Sequence, residues 1–295
     1  HLFAVNVDGS NQKELTPYEG VKVEIIESLK EDKNHMIITM NKNNPQVFDP
    51  YKINIETGDI EQLYENKDIQ SPIMGYVFDK NGNLRGYNKL KDGVKYELFY
   101  KMDNNQFELI HQTDWDESFS IQNFNYASDN KHEAYVVSNL ETDKTEIFRY
   151  DLAKQKPIER LFSHDKYDVS GMGISRNRNW ELDYFSYEGD KYHIVPMSDY
   201  FKKLYSRLSE EFAGYDFYIS DKTDDETQYL IYVTSDKLYG KYYSYDLKKD
   251  KVTLLFDLMP QLDEDDMSTM QPIKFNSRDG LTIHGYITLP KSAKK

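Results

Sequence analysis

Turn-bounded strand pairs recur along this chain at a nearly fixed interval, and that limits its fold more than any other feature. FAVNVDGSNQKELT, YKINIETGDIEQLY, LFYKMDNNQFELIH, FRYDLAKQKPIERLF and YSYDLKKDKVTLLF each read as a short strand, a polar turn and a second strand, and YHIVPMSD is a weaker copy. The apolar residues before these turns are Val7, Ile55, Met102, Leu152, Met197 and Leu247, at steps of 45 to 50 residues. A second series interleaves with the first: ESLKEDKNHMIITM, GYVFDKNGNLRGYN, NYASDNKHEAYVVS, GISRNRNWELDYFS and YISDKTDDETQYLIYVTS. Its markers Leu29, Val77, Ala127, Ser175 and Ile219 step by 44 to 50 residues. Asn, Asp and Gly tolerate the backbone angles of tight turns, which accounts for the middles of both series.

Two hairpins per repeat make four strands per repeat, and a four-stranded unit of about 40–50 residues is the pattern of a β-propeller blade. One blade cannot bury both faces, so blades stack. A β-sandwich of evenly spaced hairpins is the competing architecture; two interleaved series of matching period favour the propeller. The expected fold is all-β, with about five full blades and a partial first one. His1-Leu2-Phe3-Ala4-Val5 reads as the middle of a strand. The chain is therefore expected to begin inside a longer one, truncated at the N-terminus. One segment departs from the period. In SDYFKKLYSRLSEEFAG, residues 198–214, Phe201, Leu204, Tyr205, Leu208 and Phe212 fall at helical spacing. Ser198 is placed to cap the start and Gly214 the end. An inserted helix on the rim is expected there, with partner docking as the alternative role.

The 25 Tyr and 15 Phe exclude a disordered chain, since disordered segments are poor in aromatics. The formal charge of −14 opposes binding to nucleic acid or to an anionic membrane surface. No apolar run approaches about 18 residues, so no membrane-spanning helix is expected. The absence of cysteine removes disulfides, thiolate metal sites and a cysteine nucleophile, and leaves the redox compartment open.

Catalytic patterns are missing. GMGISRN around Ser175 lacks the second glycine of a G-x-S-x-G elbow and occupies a strand-to-turn position of the repeat. The acidic runs Asp221–Glu226 and Leu262–Met267 lack the glycine turn and terminal Glu of an EF-hand and read as solvated turns. The seven histidines form no H-x-x-x-H pair. No catalytic, cofactor-binding or metal-binding residue is assigned, and no cofactor is expected.

The C-terminal segment MQPIKFNSRDGLTIHGYITLP, Met270 to Pro290, resembles the join between propeller and α/β-hydrolase domain in the prolyl oligopeptidase family of serine peptidases, with closest similarity to its acylaminoacyl-peptidase-like branch. In that family a strand with a Ser/Arg-Asp-Gly turn leads to an apolar strand ending in proline. Here the turn is Ser277-Arg278-Asp279-Gly280 and the second strand Leu281 to Leu289. Residues 221–256 resemble the family's last full blade, and LTPYEGVK with MNKNNPQVFDPYKINIETG an early one. The resemblance implies a propeller over 1–268, part of a seven-bladed one in the parent, and, over 269–295, a linker plus the first hairpin of a hydrolase domain. It implies that the Ser, Asp and His of catalysis lie beyond this hairpin, so His284 is a strand residue, and Arg278 and Asp279 hold the turn. Expected partners are that C-terminal hydrolase domain and the parent's oligopeptide substrates, with the propeller gating their entry. The family occurs inside and outside the cytoplasm; the reading leans to an exported or periplasmic protein. A stand-alone propeller binding a protein or peptide is the alternative, and a propeller glycosidase with axial carboxylates a third.

Overall fold

The computed structural model describes residues 1–293. Its strands pair strictly with their sequence neighbours, in antiparallel meanders. The chain divides into two compact units, residues 1–171 and 172–295.

The first unit starts with a two-stranded ribbon, β1 (Phe3–Ala4) and β2 (Lys13–Glu14). Three four-stranded blades follow. The first is β3 (Val23–Ser28), β4 (His35–Met40), β5 (Asp49–Asn54) and β6 (Ile60–Gln62). The second is β7 (Ile73–Phe78), β8 (Leu84–Lys91), β9 (Lys95–Lys101) and β10 (Phe107–Thr113). The third is β11 (Phe119–Phe124), β12 (Glu133–Ser138), β13 (Glu146–Asp151) and β14 (Lys156–Phe162). β15 (Val169–Ser175) straddles the division and pairs in one sheet with β16 (Glu181–Glu188) and β17 (Tyr192–Pro196). The second unit continues with helix α1 (Asp199–Glu211), the blade β18 (Asp216–Lys222), β19 (Gln228–Thr234), β20 (Lys241–Asp246) and β21 (Lys251–Asp257), and the hairpin β22 (Met270–Asn276) and β23 (Thr282–Thr288).

The turns of both sequence series fall between the paired strands as expected. One repeat departs from four strands. After Met197 the weaker copy enters a helix, because the Ser198 hydroxyl accepts the Phe201 N–H and caps α1 at the point where a fourth strand would begin. α1 packs on β16 and β17, and its Phe201, Leu204 and Leu208 are buried in a core shared with Tyr229, Ile231 and Val233 of β19. Gly214 beyond its end has φ +89°, the left-handed conformation that favours glycine.

Middle strands carry the cores. Residues of β12 are buried throughout, and Ile38, Met40 and Ile53 are fully buried on β4 and β5. Leu98 and Tyr100 of β9 share a core with Phe124 and Val136 of the next blade. Polar contacts between blades connect residues about one repeat apart. Tyr126 Oη accepts the Lys80 N–H at 2.7 Å, and Arg85 donates to the Lys131 carbonyl at 3.2 Å. Tyr100, completely buried, bonds His132 Nδ1 at 3.0 Å and accepts from Arg85, while His132 Nε2 meets Asp103 at 3.0 Å.

First strands share a defect. The register between first and second strands slips at Ile25/Glu27, Ile73/Gly75, Ile121/Asn123 and Ile219/Asp221. Each slip is a β-bulge, which leaves one residue without a cross-strand partner and re-aims its side chain. The odd residues are Ile26, Met74, Gln122 and Ser220, the first three spaced at 48.

His111 on β10 gives a pH prediction. Its ring stacks on Phe119 at 4.3 Å, and its Nε2 is buried with no hydrogen-bond partner among the described residues. Burial pushes the imidazole pKa down, against an opposing pull from the Glu117 charge. In the unfolded chain the ring gains its proton near pH 6.5, and in the folded protein only at lower pH. The unfolded state therefore binds more protons in that window, so stability present above about pH 6.5 is lost as pH falls below it. Chemical denaturation of wild type and His111→Phe between about pH 7 and pH 5 is expected to show a loss in the wild type that the variant lacks.

Candidate functional site: a charged clasp and an exposed hairpin

With no catalytic motif in the sequence, a functional site would lie where charge is buried or where apolar surface is left open. Both features occur in the second unit.

The buried charge lies beneath α1. Arg178, on the turn after β15, reaches the carboxylates of Asp183 on β16 and Glu226 on the β18–β19 turn, and its Nε donates to Glu181 at 2.8 Å. Glu226 Oε1 also accepts from Ser175 at 2.7 Å and Lys222 at 2.6 Å. Asp183 Oδ1 accepts from the capping Ser198 at 2.7 Å. The Arg178 guanidinium lies 3.8 Å from the centre of the Tyr200 ring, whose hydroxyl meets that of Tyr229 at 2.6 Å. Asp183 and Glu226 are each 3% exposed. Burial pulls the Arg178 pKa down, but hydrogen bonds to Glu181 and Asp183 and the charges of Asp183 and Glu226 outweigh it and hold the group above the ordinary arginine value.

Chemically this is a clasp. Its two buried carboxylates and two cations leave no activated nucleophile. Ser175 is fully buried and donates to a carboxylate, so its hydroxyl is a strut, as its place in the repeat implied. The acidic run 221–226 corrects the expectation of a wholly solvated turn. Asp221, Asp224 and Asp225 are exposed, but Glu226 turns inward with φ +53°. Four hydrogen-bonding and ionic contacts fix it in a conformation that non-glycine residues seldom adopt. No local pattern marks this role, because the partners Ser175 and Arg178 lie 51 and 48 residues earlier. The other acidic run forms a short 3-10 turn, Glu264–Asp266, where Glu264 accepts from the Tyr215 hydroxyl at 2.9 Å.

The open apolar surface is the β22–β23 hairpin. Its seven residue pairs run in unbroken register from Met270↔Thr288 to Asn276↔Thr282. Asp279 accepts from Ser277 and from the Leu281 N–H at 3.2 Å, and Gly280 takes φ +88°, so this turn is built as the motif implied. Both sequence-adjacent faces are exposed: Phe275 is 54% exposed, Leu281 63%, Tyr286 52% and Leu289 55%. His284 is an exposed strand residue paired with Lys274, and Arg278 is exposed at the turn. The hairpin is tied back where Tyr286 donates to the Asp190 carbonyl at 2.7 Å and Asp236 accepts the Met270 N–H at 2.7 Å.

Meandering four-stranded sheets, with polar contacts one repeat apart, define the class: an all-β protein of the β-propeller type with one inserted helix. No family model matches the chain. The prolyl oligopeptidase resemblance read from the sequence is borne out by its relatives. Dipeptidyl aminopeptidase BIII of Pseudoxanthomonas mexicana is 23% identical over 297 residues, covering 99% of this chain and 42% of that protein. Dipeptidyl peptidase family member 6 of Caenorhabditis elegans is 20% identical over 269 residues, covering 88% and 35%. Among solved structures, one from a study of two prolyl endopeptidases superimposes with a TM-score of 0.62 at 13% identity, covering all of this chain and 47% of that one. The chain thus spans less than half the length of the proteins it matches.

Proposed function

We propose that this chain is the propeller part of a prolyl-oligopeptidase-like serine peptidase, dividing at residues 1–268 and 269–295, and that it restricts entry of short peptides to a hydrolase domain that follows. One observation carries the reading: the β22–β23 hairpin exposes apolar side chains along both strands. A two-stranded hairpin is marginal in water, and contiguous exposed apolar surface marks an interface. Further strands of an α/β sheet would bury Phe275, Ile283 and Tyr286. The similarity to longer proteins named as peptidases supports the same reading.

Gating in this reading is steric. Blades held by interlocked polar contacts do not widen readily, so an extended oligopeptide passes where a folded protein does not. The chemistry would belong to the hydrolase domain, as acyl transfer through a serine activated by a histidine.

Sequencing the reading frame past Lys295 is the direct test. A frame running on into a G-x-S-x-G motif is the expected result; a stop codon at that point overturns the reading in favour of a stand-alone binding propeller. The 295-residue chain by itself is expected to hydrolyse neither peptides nor acyl esters. Turnover by purified protein that a covalent serine inhibitor abolishes would contradict this, and glycosidase turnover would point to carboxylate chemistry on the blades.

A further inference from the structure

A cavity of about 460 Å³ lies between the first two blades of the first unit. Ile26 of β3, Val47 and Phe48 of the β4–β5 connection, and Ile73 and Met74 of β7 give it apolar walls. The Tyr76 hydroxyl donates to the Phe48 carbonyl at 2.9 Å and ties the two blades together there. Val47 and Ile73 are buried, while Glu24 and Met74 are exposed and leave the cavity open to solvent.

Two polar side chains in this cavity are unpartnered. Glu24 and Thr39 are direct cross-strand partners on β3 and β4, so they leave the sheet on one face with Cβ atoms about 5 Å apart. Thr39 is 5% exposed, and its hydroxyl has no hydrogen-bond partner among the described residues. The Glu24 carboxylate has neither an ion pair nor a hydrogen bond among them. No other charged residue lines the cavity among the described residues; Lys22 and Glu27, which flank Glu24 in sequence, do not.

Charge decides the class of ligand. A ligand filling the cavity strips water from Glu24, and a desolvated carboxylate without a counter-charge is unfavourable. An anion would be repelled, and a neutral body would leave the carboxylate unmatched. A cation is required, and the cavity lining supplies none. Thr39 decides which kind. A primary ammonium carries three N–H donors on one nitrogen, so one can point at Glu24 and another at the neighbouring Thr39 Oγ1. A quaternary ammonium has no N–H to give. The apolar walls take the rest of the ligand, and the volume lies in the range of small-molecule sites. Met74 is flexible and packs well on aromatic groups.

We propose that this cavity binds a primary ammonium on a compact apolar body, one N–H donating to the Glu24 carboxylate and another to Thr39 Oγ1, with the body against Ile26, Ile73 and Met74. The site belongs to β3, β4 and β7 and needs neither the hairpin nor a hydrolase domain, so its failure leaves the peptidase reading untouched.

The test uses the 295-residue chain and three probes that share a phenylethyl body: 2-phenylethylamine, 2-phenylethanol and trimethyl(2-phenylethyl)ammonium. At neutral pH the first is a primary ammonium, the second lacks the charge and the third lacks the N–H groups. Ring-current shifts of the Ile26, Val47 and Ile73 methyl groups, followed by NMR, are expected to saturate with the amine. The alcohol is expected to bind roughly ten- to a hundredfold weaker, the range for hydrogen bonds to a charged group, and the quaternary ion is expected to bind more weakly than the amine. Glu24→Gln, at an exposed position, is expected to bring the amine level with the alcohol, with circular dichroism reporting that the fold is kept. Thr39→Val keeps the side-chain shape and removes the hydroxyl; it is expected to weaken the amine and leave the quaternary ion unchanged. No saturable binding of the amine, an alcohol or a quaternary ion that binds as tightly, or undiminished amine binding by a folded Glu24→Gln would each overturn the proposal.

Discussion

Arg178→Ala is expected to lower stability by about 3–5 kcal/mol, the cost of removing one partner from a buried ionic group. Arg178 touches Asp183, Glu226, Glu181 and the face of Tyr200. Without it, Asp183 keeps only the Ser198 hydroxyl as a close donor among the described residues, and Glu226 keeps Ser175 and Lys222. Denaturant titration measures the loss. Arg178→Lys is expected to fall between, because one ammonium cannot bridge two carboxylates as a guanidinium does. In a double-mutant cycle, Arg178→Ala and Glu226→Ala are expected to be non-additive by about 1–3 kcal/mol, as for residues in one network. Additive losses would show that the contacts act separately and that the clasp is no unit.

Gly86→Ala is expected to cost about 2–3 kcal/mol through crowding. Gly86 lies on β8 and pairs with Tyr100 on one side and Val77 on the other. A Cβ there would stand 2.7 Å from the carbonyl oxygen of Phe99. That oxygen belongs to a backbone paired on both sides, so it cannot withdraw as a flexible side chain would. Gly75→Ala is the control, since its added carbon meets nothing nearer than an Asn88 side-chain atom at 3.9 Å. Its effect is expected within about 0.5 kcal/mol. Equal destabilisation by both changes would show that backbone freedom, and not the Phe99 contact, sets the loss.

The architecture was legible because a blade is local. Each strand pairs with the next in sequence, so hairpin turns mark both the strands and the period. The helix was legible for the same reason, with Ser198 and Gly214 at its ends. The missing fourth strand after Met197 was foreshadowed only by a weak copy. The clasp was not legible. Ser175, Arg178 and Glu226 are ordinary turn residues in their own repeats, and their meeting depends on how one blade seats on the next. The same applies to Tyr100, His132 and Asp103. A period predicts that neighbours touch, and it does not say which side chains are in phase. The bulges are not legible because they lie inside strands, where no turn residue announces them.

Those bulges have an evolutionary consequence. Ile26, Met74, Gln122 and Ser220 oppose no residue across their sheets, so a new side chain there disturbs no ladder partner. The four already differ widely in size and polarity, and Met74, Gln122 and Ser220 are solvent-accessible. They are sites where selection, or a combinatorial library, can rewrite the lining of the first strands while the hidden packing of β4, β9, β12 and β19 stays as it is.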